Sequence, residues 1–386
     1  MADESALLTL ADRLAAGFAI RADQHDREGS VPSENIDELR EAGLLRLMLA
    51  EPDGGLGADL ATAARVLRRL GAGDASTTLI ITQHLAVTGA FGWLGSERTR
   101  RFLREEVARG GFVALFAGTP EFEGREPTMA RRTAGGWLLD GRKGFATGCL
   151  VADWATTTAV AIGDDTERES LTCLVPVGQK GFQILDNWDT LGLRATASHD
   201  IVMTGLFIPD DDVIARAPEH EFGPRPGGKN LGTGFFSFGV SFFAGLYLGI
   251  ADAALECLRQ TLANRTPVGR NERLIDNPAT RVSLVEIELL HRQASAMFEW
   301  NIERHRDPAR WSGDTLPDLA ATKDVVTRTA IEIVERCFQL AGGVAFWRRL
   351  PLERYLRDVH GGPLHPLNHS ATIALLSSRL GKETPG

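Results

Sequence analysis

The stretch RDVHGGPLHPLNHSAT, residues 357–372, carries His360, His365 and His369, three of the nine histidines in the chain, and no carboxylate after Asp358. An imidazole titrates near neutral pH and can hold, give or take a proton there. A Gly- and Pro-rich loop between two helical segments is one way to present such a ring, although a purely solvated loop has the same composition. Metal ligation is not expected: spacings of five and four residues in this loop match no standard ligand pattern, and no cysteine accompanies them. His360 precedes a glycine pair and His369 opens the last helical segment, so both read as bland and His365 is the candidate. The acidic run IPDDD reads as a solvated turn.

The rest of the chain must say what His365 would act on. At 386 residues it exceeds the roughly 150-residue prior for one domain, so two or three packed domains are expected. The net charge is −9 and Lys and Arg are not clustered, which argues against a nucleic-acid partner. Cys149, Cys173, Cys257 and Cys337 lie far apart with no CxxC pair, the usage of a reducing cytoplasm. The N-terminal MADESALLTLADRL is acidic and amphipathic, unlike a signal or transit peptide. No apolar run reads as the roughly 18 residues of a membrane span. The expectation is a soluble cytoplasmic protein.

Three segments differ in period. Residues 1–112 read as helices, with Ser33 a plausible N-cap for SENIDELREAGLLRLML and a return to helix from Leu60 to Gly95. Residues 113–222 switch to short β-branched and aromatic runs, FVALFAG, WATTTAVAI, LTCLVPV, GFQIL and DIVMTGLFIP, with Asp140-Gly141 as a hairpin signal. No helix-length pattern intervenes, so a small antiparallel barrel or sandwich is expected rather than a parallel sheet. Residues 223–386 return to long helices. Phe242, Leu246, Ile250, Ala254, Leu258 and Leu262 recur every four positions, and Leu319, Val326, Ile333 and Leu340 every seven, the spacing of a four-helix bundle. The fold class is mainly α with a central β domain.

That order, with LLRLMLAEPDGGLGAD, GGWLLDGRKGFATGCLVADWATTTAVA, WDTLGLRATASHDIVMTGLFIPDDDVI, ERCFQLAGGVAF and LERYLRD in sequence, resembles the acyl-CoA dehydrogenase superfamily over essentially the full length. The resemblance implies a flavin cofactor, FMN or FAD, and a homotetramer. It implies Phe145 against the ring face and Thr147 within hydrogen-bonding reach of the ring's reactive edge, since flavin chemistry needs an apolar wall and polar groups that tune N5 and O4. It implies Arg265 at the pyrophosphate, and Gln339, Gly342 and Gly343 against the flavin tail of a neighbouring subunit. Residues of the LAGG type also serve as a helix C-cap. Val268-Gly269 replaces the aromatic-Gly pair usual after Arg265, which leaves FMN and FAD both open.

The dehydrogenase base is absent. One position implied for it is Pro366, the other falls near Gly239, and AGTPEFEGREPTM replaces the acidic-Pro-Gly acyl-binding loop. RDVHGGPLHP instead resembles the two-component flavin monooxygenase branch, where His replaces the carboxylate. That resemblance implies reduced flavin from a separate reductase, O2, a C4a-hydroperoxyflavin and a small organic substrate, with His365 managing the peroxide proton. His84 and Ser198 would line the substrate cavity. An acyl-thioester dehydrogenase with a displaced base and a catalytically silent flavin-binding or assembly protein are the alternatives.

Overall fold

The computed structural model describes residues 3–116, 118, 127–162, 167–219, 223–224 and 228–380. Helices α1 (Glu4–Glu28), α2 (Ser33–Glu41), α3 (Leu60–Gly73), α4 (Ala75–Leu94) and α5 (Glu97–Glu105) come first. Strands β1 (Val113–Phe116), β2 (Met129–Thr133), β3 (Gly136–Lys143), β4 (Trp154–Ile162), β5 (Arg168–Pro176), β6 (Phe182–Ile184), β7 (Ile201–Pro209) and β8 (Val213–Pro218) follow. The chain ends in α6 (Leu231–Ala263), α7 (Pro278–Arg304), α8 (Thr315–Ala341), α9 (Leu352–Val359) and α10 (His369–Leu380).

Several local expectations are corrected. The helical stretch from Leu60 to Gly95 is divided into two helices, because the Asp74 carboxylate accepts the Thr77 amide at 2.9 Å and starts α4 afresh. Ser33 is the first residue of α2, whose N-cap is Pro32. Asp140-Gly141 makes no hairpin turn; it lies inside β3, where the register against β7 shifts between Leu139 and Gly141, so the glycine serves a bulge. The sheet is mixed. Its order is β6-β7-β3-β2-β4-β5-β8, and both β1 and β2 run parallel to β4.

Helix α6 is the axis of the molecule and packs on α3, α4 and α8. By length and composition it could cross a membrane, yet 89% of its most apolar window is buried within the protein, so its hydrophobicity belongs to a core. Its approach to α3 is close enough to need glycine: a Cβ on Gly249 would stand 2.2 Å from the Arg68 carbonyl, and one on Gly71 2.6 Å from that of Leu246. A single buried cluster runs from Leu7 through Phe116 and Ile201 to Phe242 and Val326, so helices, sheet and bundle share one core.

Candidate functional site

His365 is half-buried between α9 and α10, with its ring turned inward onto α6. It stacks on Phe243 with centroids 4.4 Å apart and planes 5° from parallel. Its Nε2 lies 2.7 Å from the Tyr247 hydroxyl. Tyr247 is fully buried and its hydroxyl has no other partner among the described residues, so the O–H donates to Nε2 and the ring proton sits on Nδ1. Phe243 and Tyr247 are four residues apart on α6 and therefore share a face. Burial, with the Lys323 ammonium nearby, pushes the imidazole pKa down to about 3. The expectation of a ring titrating near neutrality is corrected: His365 is a neutral Nδ1–H donor. Burial also raises the Tyr247 phenol well above its ordinary value. Lys323, buried on α8, fixes the loop by donating to the carbonyls of His365 at 2.7 Å and Leu367 at 3.2 Å.

A second constellation gathers around Thr147. Among the described residues, only Phe145 (φ 54°), Leu193 (φ 55°) and Ala197 (φ 45°) are non-glycine residues with left-handed backbone. Such conformations cost about 1–3 kcal/mol each and persist where surrounding structure imposes them. These three belong to one unit. Ala146 N donates to His199 O at 3.0 Å and Gly148 N to Thr196 O at 2.9 Å, which lashes the 145–148 turn to the 193–199 turn. The result holds the Phe145 ring out, 59% exposed, edge-on to Trp188 at 5.9 Å. Beneath it, Thr147 Oγ1 lies 2.9 Å from Ser198 Oγ, which lies 2.7 Å from Thr196 Oγ1, which donates to Leu193 O at 2.9 Å. Ser198 is buried in this row and holds Thr147 from behind.

The two constellations meet at Leu193. Its amide donates to the buried Asp358 carboxylate at 2.6 Å. A Cβ on Gly361 would stand 2.6 Å from Leu193 Cδ1 and 2.8 Å from the Tyr247 hydroxyl, so the glycine lets these groups converge. Burial raises the Asp358 pKa to about 7 against the opposing pull of Arg354.

His84 lies elsewhere. Its Nδ1 accepts the Val113 amide at 3.0 Å and its Nε2–H donates to Leu45 O at 2.7 Å, with the ring stacked on Phe112. Both nitrogens are consumed by backbone and the residue is fully buried, so it is a joint between the helical domain and the sheet. Arg265 donates to Ala341 O at 2.9 Å. This brings it to the exposed end of α8 that carries Gln339, Gly342 and Gly343, where Gly342 at φ 71° ends the helix. These four form a separate surface group. His360 Nδ1–H donates to Leu356 O at 2.6 Å while its Nε2 lies 3.6 Å from Glu335, and His369 pairs with Asp324.

Sequence reasoning passed over Tyr247, Phe243, Lys323 and Asp358. One signal was available: the chain has only two tyrosines, and one interrupts its most apolar helix.

The chain matches the acyl-CoA dehydrogenase N-terminal, middle and C-terminal domains over residues 2–111, 119–206 and 241–369. It is 30% identical over 373 residues to the putative acyl-CoA dehydrogenase YdbM of Bacillus subtilis, spanning 95% of this chain and 94% of that one. It belongs to the acyl-CoA dehydrogenase family. Another relative within this family is the amino sugar nitrososynthase DnmZ of Streptomyces peucetius, 29% identical over 96% of this chain and 92% of that one. Among solved structures, KijD3 in complex with FMN and a dTDP-amino sugar superimposes with a TM-score of 0.85 at 28% identity, covering 99% and 94% of the two chains. The family fold of helical domain, β domain and helical bundle is the one described above.

Proposed function

We propose that this acyl-CoA dehydrogenase family member is a flavin-dependent oxygenase component: it takes up reduced flavin, reacts with O2 and oxygenates a small organic substrate at a soft heteroatom such as nitrogen or sulfur. One observation carries the reading. Where a desaturating enzyme needs an ionised carboxylate, this chain has an imidazole kept neutral by burial, whose Nε2 is committed to Tyr247 and whose proton is therefore left on Nδ1. A carboxylate accepts protons; this pair donates a hydrogen bond. Two buried carboxylates flank the loop and both are engaged, Asp358 by the Leu193 amide and Asp324 by His369; Gly239, one turn before Phe243, carries no side chain, and a Cβ there would rest 3.8 Å from the Phe243 ring. An enzyme named for nitroso synthesis, at 29% identity over nearly the full chain, supports the same direction.

The residues fit a flavin. The strained Phe145 ring offers a flat wall, and Thr147, 5% exposed, offers a buried oxygen beside it. When bound, the flavin supplies the oxygen chemistry. Phe145 and Trp188 would orient it, the Thr147 row would meet its polar edge, Phe243 and Tyr247 would shield one face of the His365 ring, and His365 Nδ1–H would hold a proton for the transferred oxygen. Arg265, Gln339, Gly342 and Gly343 would reach the phosphate end of a neighbour's flavin in a homotetramer, with reduced flavin delivered by a separate reductase. FMN is the form favoured, because Val268 is fully exposed with no aromatic beside it to receive an adenine.

The test incubates the protein with FMN, a flavin reductase, NADH and 18O2 against a panel of aryl sulfides and amino sugars. A product heavier by one 18O atom, absent without the protein and diminished in His365→Ala, is expected. Desaturation of an acyl-CoA by the oxidised flavoprotein, with no labelled product from any panel member, would overturn the reading.

A further inference from the structure

The row Thr147, Ser198, Thr196 has a direction that can be worked out from its end. Leu193 O is a carbonyl and can only accept, so Thr196 spends its single hydroxyl hydrogen there. Thr196 Oγ1 must then accept from Ser198, at 2.7 Å. Ser198, its hydrogen spent, must accept from Thr147, at 2.9 Å. Thr147 is thereby left with lone pairs and no hydrogen for anything on its other side.

We propose that Ser198 and Thr196 are positioning residues that turn Thr147 Oγ1 into an obligate acceptor, so that the site selects the flavin bearing a hydrogen on N5, the reduced form, over the oxidised form, whose N5 is itself an acceptor. This rests on the reading of Thr147 as the flavin-edge residue. No proton or electron moves in the device; it is a fixed hydrogen-bond polarity. The structure invests in keeping it fixed. The terminal acceptor Leu193 is held at φ 55° and its amide is pinned by Asp358 at 2.6 Å, while Ala197, between the two inner hydroxyls, is held at φ 45°. Trp188 Nε1 also donates to Leu193 O at 3.2 Å, and Trp188 is the residue that braces Phe145. Ring wall and edge polarity therefore share one anchor. Facing an oxidised flavin, Thr147 would set two acceptors against each other; facing a reduced one, it completes a hydrogen bond.

The experiment measures dissociation constants of oxidised FMN and of dithionite-reduced FMN, anaerobically, for wild type, Ser198→Ala, Ser198→Thr, Thr196→Val and Thr147→Val, together with the potential of bound FMN. Wild type is expected to bind reduced FMN more tightly. Ser198→Ala frees the Thr147 hydrogen to point at an oxidised N5, so the preference should fall about tenfold, the effect of one buried hydrogen bond gained or lost. For a two-electron couple that is about 30 mV, with the bound potential moving negative. Thr196→Val should act in the same direction, which covers a Ser198→Ala protein that fails to fold, and Ser198→Thr should restore the wild-type preference. An unchanged preference in Ser198→Ala and Thr196→Val, with Thr147→Val weakening FMN binding, would overturn the polarity while leaving the flavin site standing. Unchanged affinity for both FMN forms in Thr147→Val would overturn the flavin placement and the polarity with it.

Discussion

Replacing His84 with leucine separates a structural joint from a substrate contact. The neutral ring of His84 accepts from Val113 N and donates to Leu45 O, with no solvent access. Leucine keeps the apolar volume and leaves both backbone groups buried and unpaired, at about 1–3 kcal/mol each. The expected loss is therefore about 2–5 kcal/mol at pH 7.5, read as a lower midpoint in equilibrium urea unfolding. A pH series gives the sharper version. Burial pushes the His84 pKa down to about 4, because a second ring proton would face the Val113 N–H. Between about pH 4 and the unfolded value near 6.5, the unfolded chain binds the extra proton and the folded chain does not, so stability falls as pH falls through that window. By pH 5 the loss is about 2 kcal/mol in wild type. His84→Leu has no such slope, and the gap between the two proteins should narrow by that amount. A gap below about 1 kcal/mol at pH 7.5, or one that stays constant to pH 5 while turnover is abolished, would refute the joint and return His84 to the substrate.

Three further outcomes are expected. Tyr247→Phe leaves His365 Nε2 without its 2.7 Å partner and should cost about 1–3 kcal/mol in unfolding experiments, with an imidazole whose NMR shifts report the altered tautomer. Asp358 holds its proton up to about pH 7 when folded, against an ordinary carboxylate near 4; the folded state binds more protons in that interval, so this group makes stability decline as pH rises from about 4 to 7. Asp358→Asn keeps the acceptor for Leu193 and should remove that decline, whereas Asp358→Ala should also weaken FMN binding. Gly239→Leu should leave FMN affinity unchanged and depress turnover, since an added Cβ there meets only the Phe243 ring, at 3.8 Å.

The architecture was legible because it is written in periods: four- and seven-residue spacing in α6 and α8, and short β-branched runs between Val113 and Pro218. Boundaries set by a single side chain were not. Asp74 cuts a continuous apolar pattern because its carboxylate caps the next helix, and an Asp in a Gly-rich stretch looks like any loop residue. Asp140-Gly141 has hairpin chemistry, yet the turn belongs to Gly135 at φ 74°, six positions earlier, and Gly141 is held inside β3. The parallel partners of β4 are long-range and leave no local trace.

For the site, motifs located the loops and missed the contacts. His365 stood out by composition, but its pKa depends on Phe243, Tyr247 and Lys323, more than forty positions or a whole helix away in sequence. Thr147 and Ser198 were singled out separately, with no indication that one lies 2.9 Å from the other. Left-handed backbone at Phe145, Leu193 and Ala197 is imposed by packing and contradicts the preference of each residue type. His84 shows the converse: a histidine on an apolar helix has the composition of a cavity residue, and only its two backbone partners reveal the joint.

The most direct measurement is rapid mixing. The protein, loaded anaerobically with reduced FMN, is mixed with air-saturated buffer while absorbance is followed from the near-ultraviolet to the oxidised-flavin band. An oxygenase component should show a distinct phase before oxidised flavin returns, shortened in His365→Ala. Direct single-phase return of oxidised flavin, at the rate of free reduced FMN and unaffected by His365→Ala, would contradict the account.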